Sequence, residues 1–124
     1  MKRTFLLATW ALMATPVLAG AIDIQWSEAG GFQQELSVNA GKVLEVCGKL
    51  PAQVSIDWWF ESSAAMASNI HYHAGKKVIF PAKHPAASVL RDRLTTTVEQ
   101  DYCWMWTNAG PQAIAIKFGM EKIK

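Results

Sequence analysis

Apolar and polar residues alternate along most of the chain beyond residue 30. The alternation is clearest in residues 54–58, Val-Ser-Ile-Asp-Trp, and it recurs in residues 34–38 and 42–50. A period of two places successive side chains on opposite faces of a strand, so these segments are predicted to be half-buried β-strands. The same criterion predicts further strands at residues 69–73, 77–80, 94–98, 102–107 and 113–118.

Turn-forming residues separate the predicted strands. Examples are Asn39-Ala40-Gly41, Ala74-Gly75 and Pro81. Many short strands at a spacing of roughly ten residues indicate an all-β antiparallel β-sandwich rather than alternating helices and strands. Only residues 62–68 and 85–93 suggest a helical turn. No repeat or linker divides the chain, so residues 20–124 are predicted to form a single domain.

The first nineteen residues have the pattern of a secretory signal peptide. Lys2 and Arg3 precede an apolar run over residues 5–13, and small residues then fit cleavage after Ala19 or Ala21. The apolar run is too short to span a bilayer, and no later run reaches about 18 uninterrupted apolar residues. We therefore expect a periplasmic or secreted protein with no integral membrane segment.

The signal peptide also changes the charge of the protein. The 124-residue chain has 12 basic and 10 acidic residues and a formal charge of +2. Lys2 and Arg3 belong to the predicted signal peptide, so the remaining basic and acidic residues balance. A neutral domain lacks the excess positive charge that attracts nucleic acid or anionic membranes. We expect no nucleic-acid partner, and instead a metal ion or a protein partner in the cell envelope.

The chain has two cysteines, Cys47 and Cys103, and both lie in the exported part. An even number of cysteines in an oxidising compartment favours a disulfide, which would close a long loop and stabilise a small domain. The alternative is a pair of free thiolates that act as metal ligands.

The order of these segments resembles the GOLD β-sandwich, which occurs in cargo receptors of the secretory pathway and in lipid-transfer proteins. In that family an aromatic-rich strand ending in Asn follows an acidic or glycine turn and a Tyr, as in residues 101–108, Asp-Tyr-Cys-Trp-Met-Trp-Thr-Asn. The cargo receptors also pair two cysteines at about the places of Cys47 and Cys103. The resemblance extends to the strand at residues 54–60 and the extended segment 69–73. This sequence departs from the receptors in having no coiled coil and no transmembrane anchor after the sandwich. The resemblance implies a fold and a binding role, and it implies nothing about cargo.

Two histidines and a methionine suggest a soft-metal site. His71 and His73 stand two apart in a predicted strand, so both imidazoles project from one face and could converge on one ion. Met105 lies between Trp104 and Trp106, and methionine sulfur with imidazole suits copper. The alternatives are solvated or hydrogen-bonded histidines, and a Met105 segment that serves only core packing. The leading hypothesis is a copper-binding protein with His71, His73 and Met105 as ligands.

Other kinds of chemistry are not supported by the sequence. A blue-copper centre needs histidine and methionine ligands soon after the cysteine, but no histidine follows Cys103. The acidic residues are scattered, and neither a G-x-S-x-G nor an H-E-x-x-H motif occurs. We therefore expect a non-enzymatic protein.

The tryptophans suggest a second function that needs no metal. Trp58 and Trp59 are adjacent, so one strand cannot direct both into the core, and at least one lies at a bulge or on a surface. If Cys103 forms an inter-strand bridge, Met105 is expected to face the core with it, while Trp104 and Trp106 face outward or towards a covering loop. These four tryptophans form the predicted binding surface of a protein-interaction module, the alternative to copper binding. The competing interpretation is burial in a small core.

Overall fold

The computed structural model describes residues 21–124, and the predicted signal peptide lies outside this range. In this part of the chain the secondary structure consists of strands, and no helix is present that could cross a membrane. The strands are β1 (Ala21–Asp23), β2 (Gly31–Val38), β3 (Val43–Leu50), β4 (Ser55–Ala74), β5 (Lys77–Thr95), β6 (Gln100–Thr107) and β7 (Ile114–Lys122). The predicted all-β fold class is confirmed.

The strands form one curled sheet in the order β1-β3-β6-β4-β7-β2, and β5 also pairs with β4. Strand β4 is long enough to have two partners on one edge: residues 56–62 pair with β7, and residues 67–71 pair with β6. The sheet therefore has two halves that fold against each other as a sandwich. The pairing of β1 with β3 is parallel and the other pairings are antiparallel, so the sheet is mixed.

The two predicted helical turns are wrong. Residues 62–68 lie in β4 and residues 85–93 lie in β5, and the two strands form a long antiparallel hairpin. The pairing shifts register between Glu61 and Met66, so the regular alternation is lost there. Alanine and serine in these segments have no strong strand preference of their own, and pairing with the neighbouring strand determines their conformation.

An aromatic core fills the space between the two halves of the sheet. Trp104 and Trp106 on β6 are each 1% exposed, and Phe118 on β7 is 0% exposed. The rings of Trp106 and Phe118 meet edge to face with centroids 4.7 Å apart. The expected orientation of β6 is thus wrong, because the tryptophans face the core and Met105 faces outward. Burial of the indoles removes much more apolar surface from water than burial of Met105 would.

The disulfide between Cys47 and Cys103 is confirmed. The two residues stand directly opposite each other on the neighbouring strands β3 and β6, so the bridge lies within one half of the sheet. It does not connect the two halves across the core. It therefore lies on the outer face of this half, with Met105.

We expect loss of the disulfide to lower the free energy of unfolding. The bridge joins residues 56 positions apart. Removing it raises the entropy of the unfolded chain and is expected to lower stability by about 4 kcal/mol. Urea denaturation of the protein, of Cys47→Ser/Cys103→Ser and of the reduced protein measures the difference. Reductant should not affect the double variant. Equal unfolding midpoints for oxidised and reduced protein would contradict the expected role of the bridge.

Candidate functional site

The predicted copper ligands lie on the outer face of the β3–β6–β4 half. Met105 pairs with Glu45 on β3 and with Asn69 on β4, and His71 pairs with Cys103. His71, His73 and Met105 therefore share one face, which the alternation predicts for the two histidines, whereas Met105 was expected to face the core. Ile70, on the opposite face, is 1% exposed.

The ring nitrogens of His71 already have partners within the protein. Nε2 is 3.2 Å from Oε1 of Glu45, and Nδ1 donates to Oδ1 of Asn69 over 2.8 Å. The ring of His73 lies 5.5 Å away, measured between centroids. A metal ion could bind His71 only by replacing one of these two contacts. Within residues 21–124 no three His, Cys, Asp or Glu side chains form a metal-binding cluster. Copper binding stays a prediction that the geometry does not support.

The surroundings of His71 favour its neutral form. Burial lowers the pKa of His71, Glu45 opposes this shift by raising it, and His73 lowers it further. The neutral ring donates its Nδ1–H to Oδ1 of Asn69, and Nε2 then lies beside Glu45, whose carboxylate favours protonation of the ring. The histidine is therefore held as a fixed polar group on the outer face.

Three of the four tryptophans predicted to form a binding surface are buried. Trp58 is 3% exposed, and Trp104 and Trp106 are 1% exposed. Trp58 lies on the inner face of β4 because it alternates with Phe60 and Ile56, which are both 0% exposed. The prediction is therefore wrong for these three, because a small core uses large aromatic side chains for burial.

Trp59 is the exception, because it lies on the outer face and is partly exposed. It forms a row across four strands with Gln33 on β2, Gly119 on β7 and Arg91 on β5. A Cβ atom at Gly119 would come within 2.5 Å of the indole, so only glycine lets the ring lie so close to β7. The guanidinium of Arg91 is 5.7 Å from the ring centroid. Around this row is an open groove of about 920 Å³.

An ion pair stands beside Trp59 in the neighbouring row. Nε of Arg93 donates to Oδ1 of Asp57 over 2.6 Å, and Nη2 donates to Oδ2 over 3.1 Å. The hydrogen bonds from Arg93 lower the pKa of the Asp57 carboxyl. The carboxylate is therefore ionised and fixed in position at neutral pH, with both oxygens aligned on the guanidinium.

A second exposed region is the far end of the β4–β5 hairpin, residues 73–83, which we call the hairpin tip. Val78, Ile79 and Phe80 are 42%, 37% and 40% exposed. Three lysines, Lys76, Lys77 and Lys83, lie in the same segment. The ammonium of Lys83 is 4.2 Å from the centroid of the Phe80 ring. The tip thus combines exposed apolar surface with positive charge.

The sequence contains a signal for this region that the strand pattern does not reveal. No aspartate or glutamate occurs between residues 62 and 90, a stretch that holds all three histidines of the chain and three of its lysines. The balanced total charge conceals this segregation. The groove around Trp59 has no comparable signal, because its members come from four separate strands.

The comparisons with known proteins show a shared fold. No protein-family model and no curated protein matches the chain. Among solved structures, PliG from Aeromonas hydrophila, a periplasmic inhibitor of g-type lysozyme, has a TM-score of 0.63 at 11% identity and covers 83% of this chain and 96% of its own. PliG from Salmonella Typhimurium has a TM-score of 0.61 at 7% identity, with 83% and 97% covered. The pre-peptidase C-terminal domain of Bacillus anthracis collagenase has a TM-score of 0.57 at 10% identity, with 84% and 95% covered.

These likenesses show the β-fold and leave function open, since each identity is very low. The PliG proteins and the collagenase domain do not bear on the GOLD-like resemblance, which stays a prediction. The residues around Trp59 and at the hairpin tip therefore have to be interpreted from their own geometry.

The lowered pKa of His71 predicts the pH dependence of stability. In the unfolded chain the histidine takes up a proton near its ordinary pKa of about 6.5, whereas the folded protein resists protonation until lower pH. Its contribution to stability is therefore complete above about pH 6.5 and is lost as the pH falls below that value. We expect His71→Gln to reduce the loss of unfolding free energy between about pH 6.5 and pH 5, measured by urea denaturation.

A second variant tests the sign of the effect that Glu45 has on the pKa of His71. Glu45 favours the charged ring, so Glu45→Gln should lower the pKa of His71 further and make the loss of stability at low pH larger. A pH profile of stability that is the same in His71→Gln and in the unmodified protein would show that His71 does not contribute. A smaller loss of unfolding free energy at low pH in Glu45→Gln would show that the carboxylate lowers the pKa of His71 instead of raising it.

Proposed function

We propose that this protein is an exported, non-enzymatic protein-binding module of the periplasm or the extracellular medium, and that it contacts its partner through the hairpin tip. The observation that carries the proposal is the run of three exposed apolar residues, Val78 to Phe80, next to three lysines. Contiguous apolar surface bordered by charge is typical of protein-interaction sites.

The position of β5 in the sheet supports this role. Among the strands of residues 21–124, β5 pairs with β4 alone, so its other edge presents backbone N–H and C=O groups to solvent. An exposed edge can accept a strand from another chain. Pro81 and Pro85 interrupt this edge, and proline lacks the N–H that a continuous ladder requires. At the tip the uninterrupted edge is therefore the short segment from Lys77 to Phe80, and a second segment of the edge follows Pro85.

The charge of the tip indicates the kind of partner. Residues 62–90 contain Lys76, Lys77 and Lys83 and no acidic residue. Acidic groups do approach from other elements, because Glu45 contacts His71 and Asp92 lies 3.7 Å from His84. Lys76 and Lys77 are remote from both contacts in the sequence, whereas Lys83 precedes His84. A partner with carboxylates around an apolar centre would complement the tip and associate faster at low ionic strength.

The shared fold is consistent with a protein-binding role. The PliG structures are of periplasmic inhibitors of g-type lysozyme, so the same fold binds a protein in those cases. A g-type lysozyme is accordingly one defined partner to test. The copper hypothesis has no comparable support, since the nitrogens of His71 are already engaged.

Variants of the tip test the proposal. We expect Val78→Ser/Phe80→Ser and Lys76→Glu/Lys77→Glu each to weaken partner binding by roughly tenfold or more, because one removes apolar contact and the other reverses the charge. Binding to a purified g-type lysozyme is measured by surface plasmon resonance. Quantitative cross-linking in the cell envelope measures binding to other proteins. High salt should weaken the lysine contribution.

Val89→Ser provides a matched control. Val89 is 61% exposed on the same strand but lies outside the tip, so its replacement should leave binding unchanged. Circular dichroism establishes that the variants are folded. Saturable binding of a partner that persists equally in both tip variants would place the contact elsewhere. If the unmodified protein captures no specific partner in either assay, a protein-binding function is wrong.

A further inference from the structure

We propose that the groove around Trp59 binds an uncharged saccharide. The groove, of about 920 Å³, lies on the outer face of the β2–β7–β4–β5 half and is distinct from the hairpin tip. Its volume is within the range of about 300–1,000 Å³ that is typical of small-ligand sites. The inference is independent of the proposed protein partner, because none of the residues that carry it belongs to residues 73–83.

The position of the indole is the first argument. Gly119 lies beneath Trp59, and a Cβ atom there would approach Cε2 and Nε1 within 2.5 Å and Cζ2 within 2.7 Å. The absence of a side chain on β7 thus lets the ring lie across the strand, while Trp59 remains partly exposed to solvent. A ring in this position can present apolar surface to the C–H groups of a pyranose ring, which gain dispersion and lose contact with water.

Polar side chains around the indole supply the second argument. Arg91 is the neighbour of Trp59 in its own row, Gln33 lies one strand beyond Gly119 in that row, and Asp57 is two residues away on β4. Sugar hydroxyls both donate and accept hydrogen bonds, so they need acceptors such as a carboxylate and donors such as a guanidinium. Rows on one face of a strand are about 7 Å apart, which places these groups within reach of a sugar stacked on Trp59.

The charge balance of the groove is the third argument. The carboxylate of Asp57 is neutralised by two hydrogen bonds from Arg93, and the other charged residues that line the groove are Arg91, Asp92 and Glu121. The groove therefore contains charges of both signs, unlike the hairpin tip. A strongly charged ligand would have to compete with these charges, whereas an uncharged hydroxylated ligand can bind beside them.

The preorganised ion pair adds a reason for specificity. Asp57 and Arg93 hold each other in a bidentate geometry, so little side-chain freedom would be lost when a hydroxyl binds to either. The lowered pKa of Asp57 keeps this carboxylate an acceptor at neutral pH. The aromatic surface and the polar groups are both positioned before the ligand arrives.

Titration with defined oligosaccharides tests the proposal. Chitotetraose, cellotetraose and maltotetraose are added to the uniformly ¹⁵N-labelled protein, and the indole N–H signals of its tryptophans are followed by NMR. We expect saturable binding of at least one of the three, with the largest shift at the Trp59 indole. Isothermal titration calorimetry then gives the dissociation constant.

Three variants locate the binding. Trp59→Ala should weaken binding by roughly tenfold or more through loss of the stacking surface. Gly119→Ala should weaken it as well, because the new methyl group displaces the indole. Phe80→Ser, which removes an exposed aromatic ring at the hairpin tip, should leave the dissociation constant unchanged. The NMR spectrum of each variant shows whether it is folded.

Three results would overturn the inference. The first is the absence of saturable binding for all three oligosaccharides up to their solubility limits. The second is binding of equal strength by Trp59→Ala. The third is loss of protein-partner binding in Trp59→Ala without any saccharide binding, which would make this face a protein interface. Failure of the tip variants to affect a protein partner would leave the groove's saccharide binding intact, so the two proposals fail separately.

Discussion

Strand β4 holds the two halves of the sheet together. Its first half pairs with β7 and its second half pairs with β6, so one continuous segment of 20 residues belongs to both halves. The change of partner coincides with the irregular stretch between Glu61 and Met66, where the strand has to bend. The two halves of the sheet that enclose the aromatic core are thereby joined through β4. The orientation of the remaining strands depends on the path of β4.

The same strand creates both proposed surfaces. Because β4 is so long, its hairpin partner β5 extends past the sandwich and ends in the exposed tip around Val78 and Phe80. At the other end of β4, the pairing with β7 places Trp59 directly over Gly119. One surface is positively charged, and the other carries charges of both signs. A single structural element thus presents two surfaces of different chemistry.

The disulfide and His71 stabilise the outer face of the other half. Cys47 and Cys103 join β3 to β6, and His71 connects β4 to β3 through its contact with Glu45. Together these two links connect three neighbouring strands. Both ring nitrogens of the buried His71 have polar partners within the protein, so its burial needs no metal ion. The alternation places His71 and His73 on one face, whereas the contact with Glu45 depends on a strand that is distant in sequence.

The sequence by itself determined the strand content, most strand positions and the pairing of two cysteines, because alternation and cysteine number are local or compositional properties. It did not determine the direction in which β6 faces, since Trp104 and Met105 both suit a core and only the competition for buried area decides between them. Residues 62–68 and 85–93 are strands because the two segments pair with each other in the β4–β5 hairpin. The row from Gln33 through Gly119 and Trp59 to Arg91 depends on the register of four strands that are distant in sequence, and only the tertiary structure set that register.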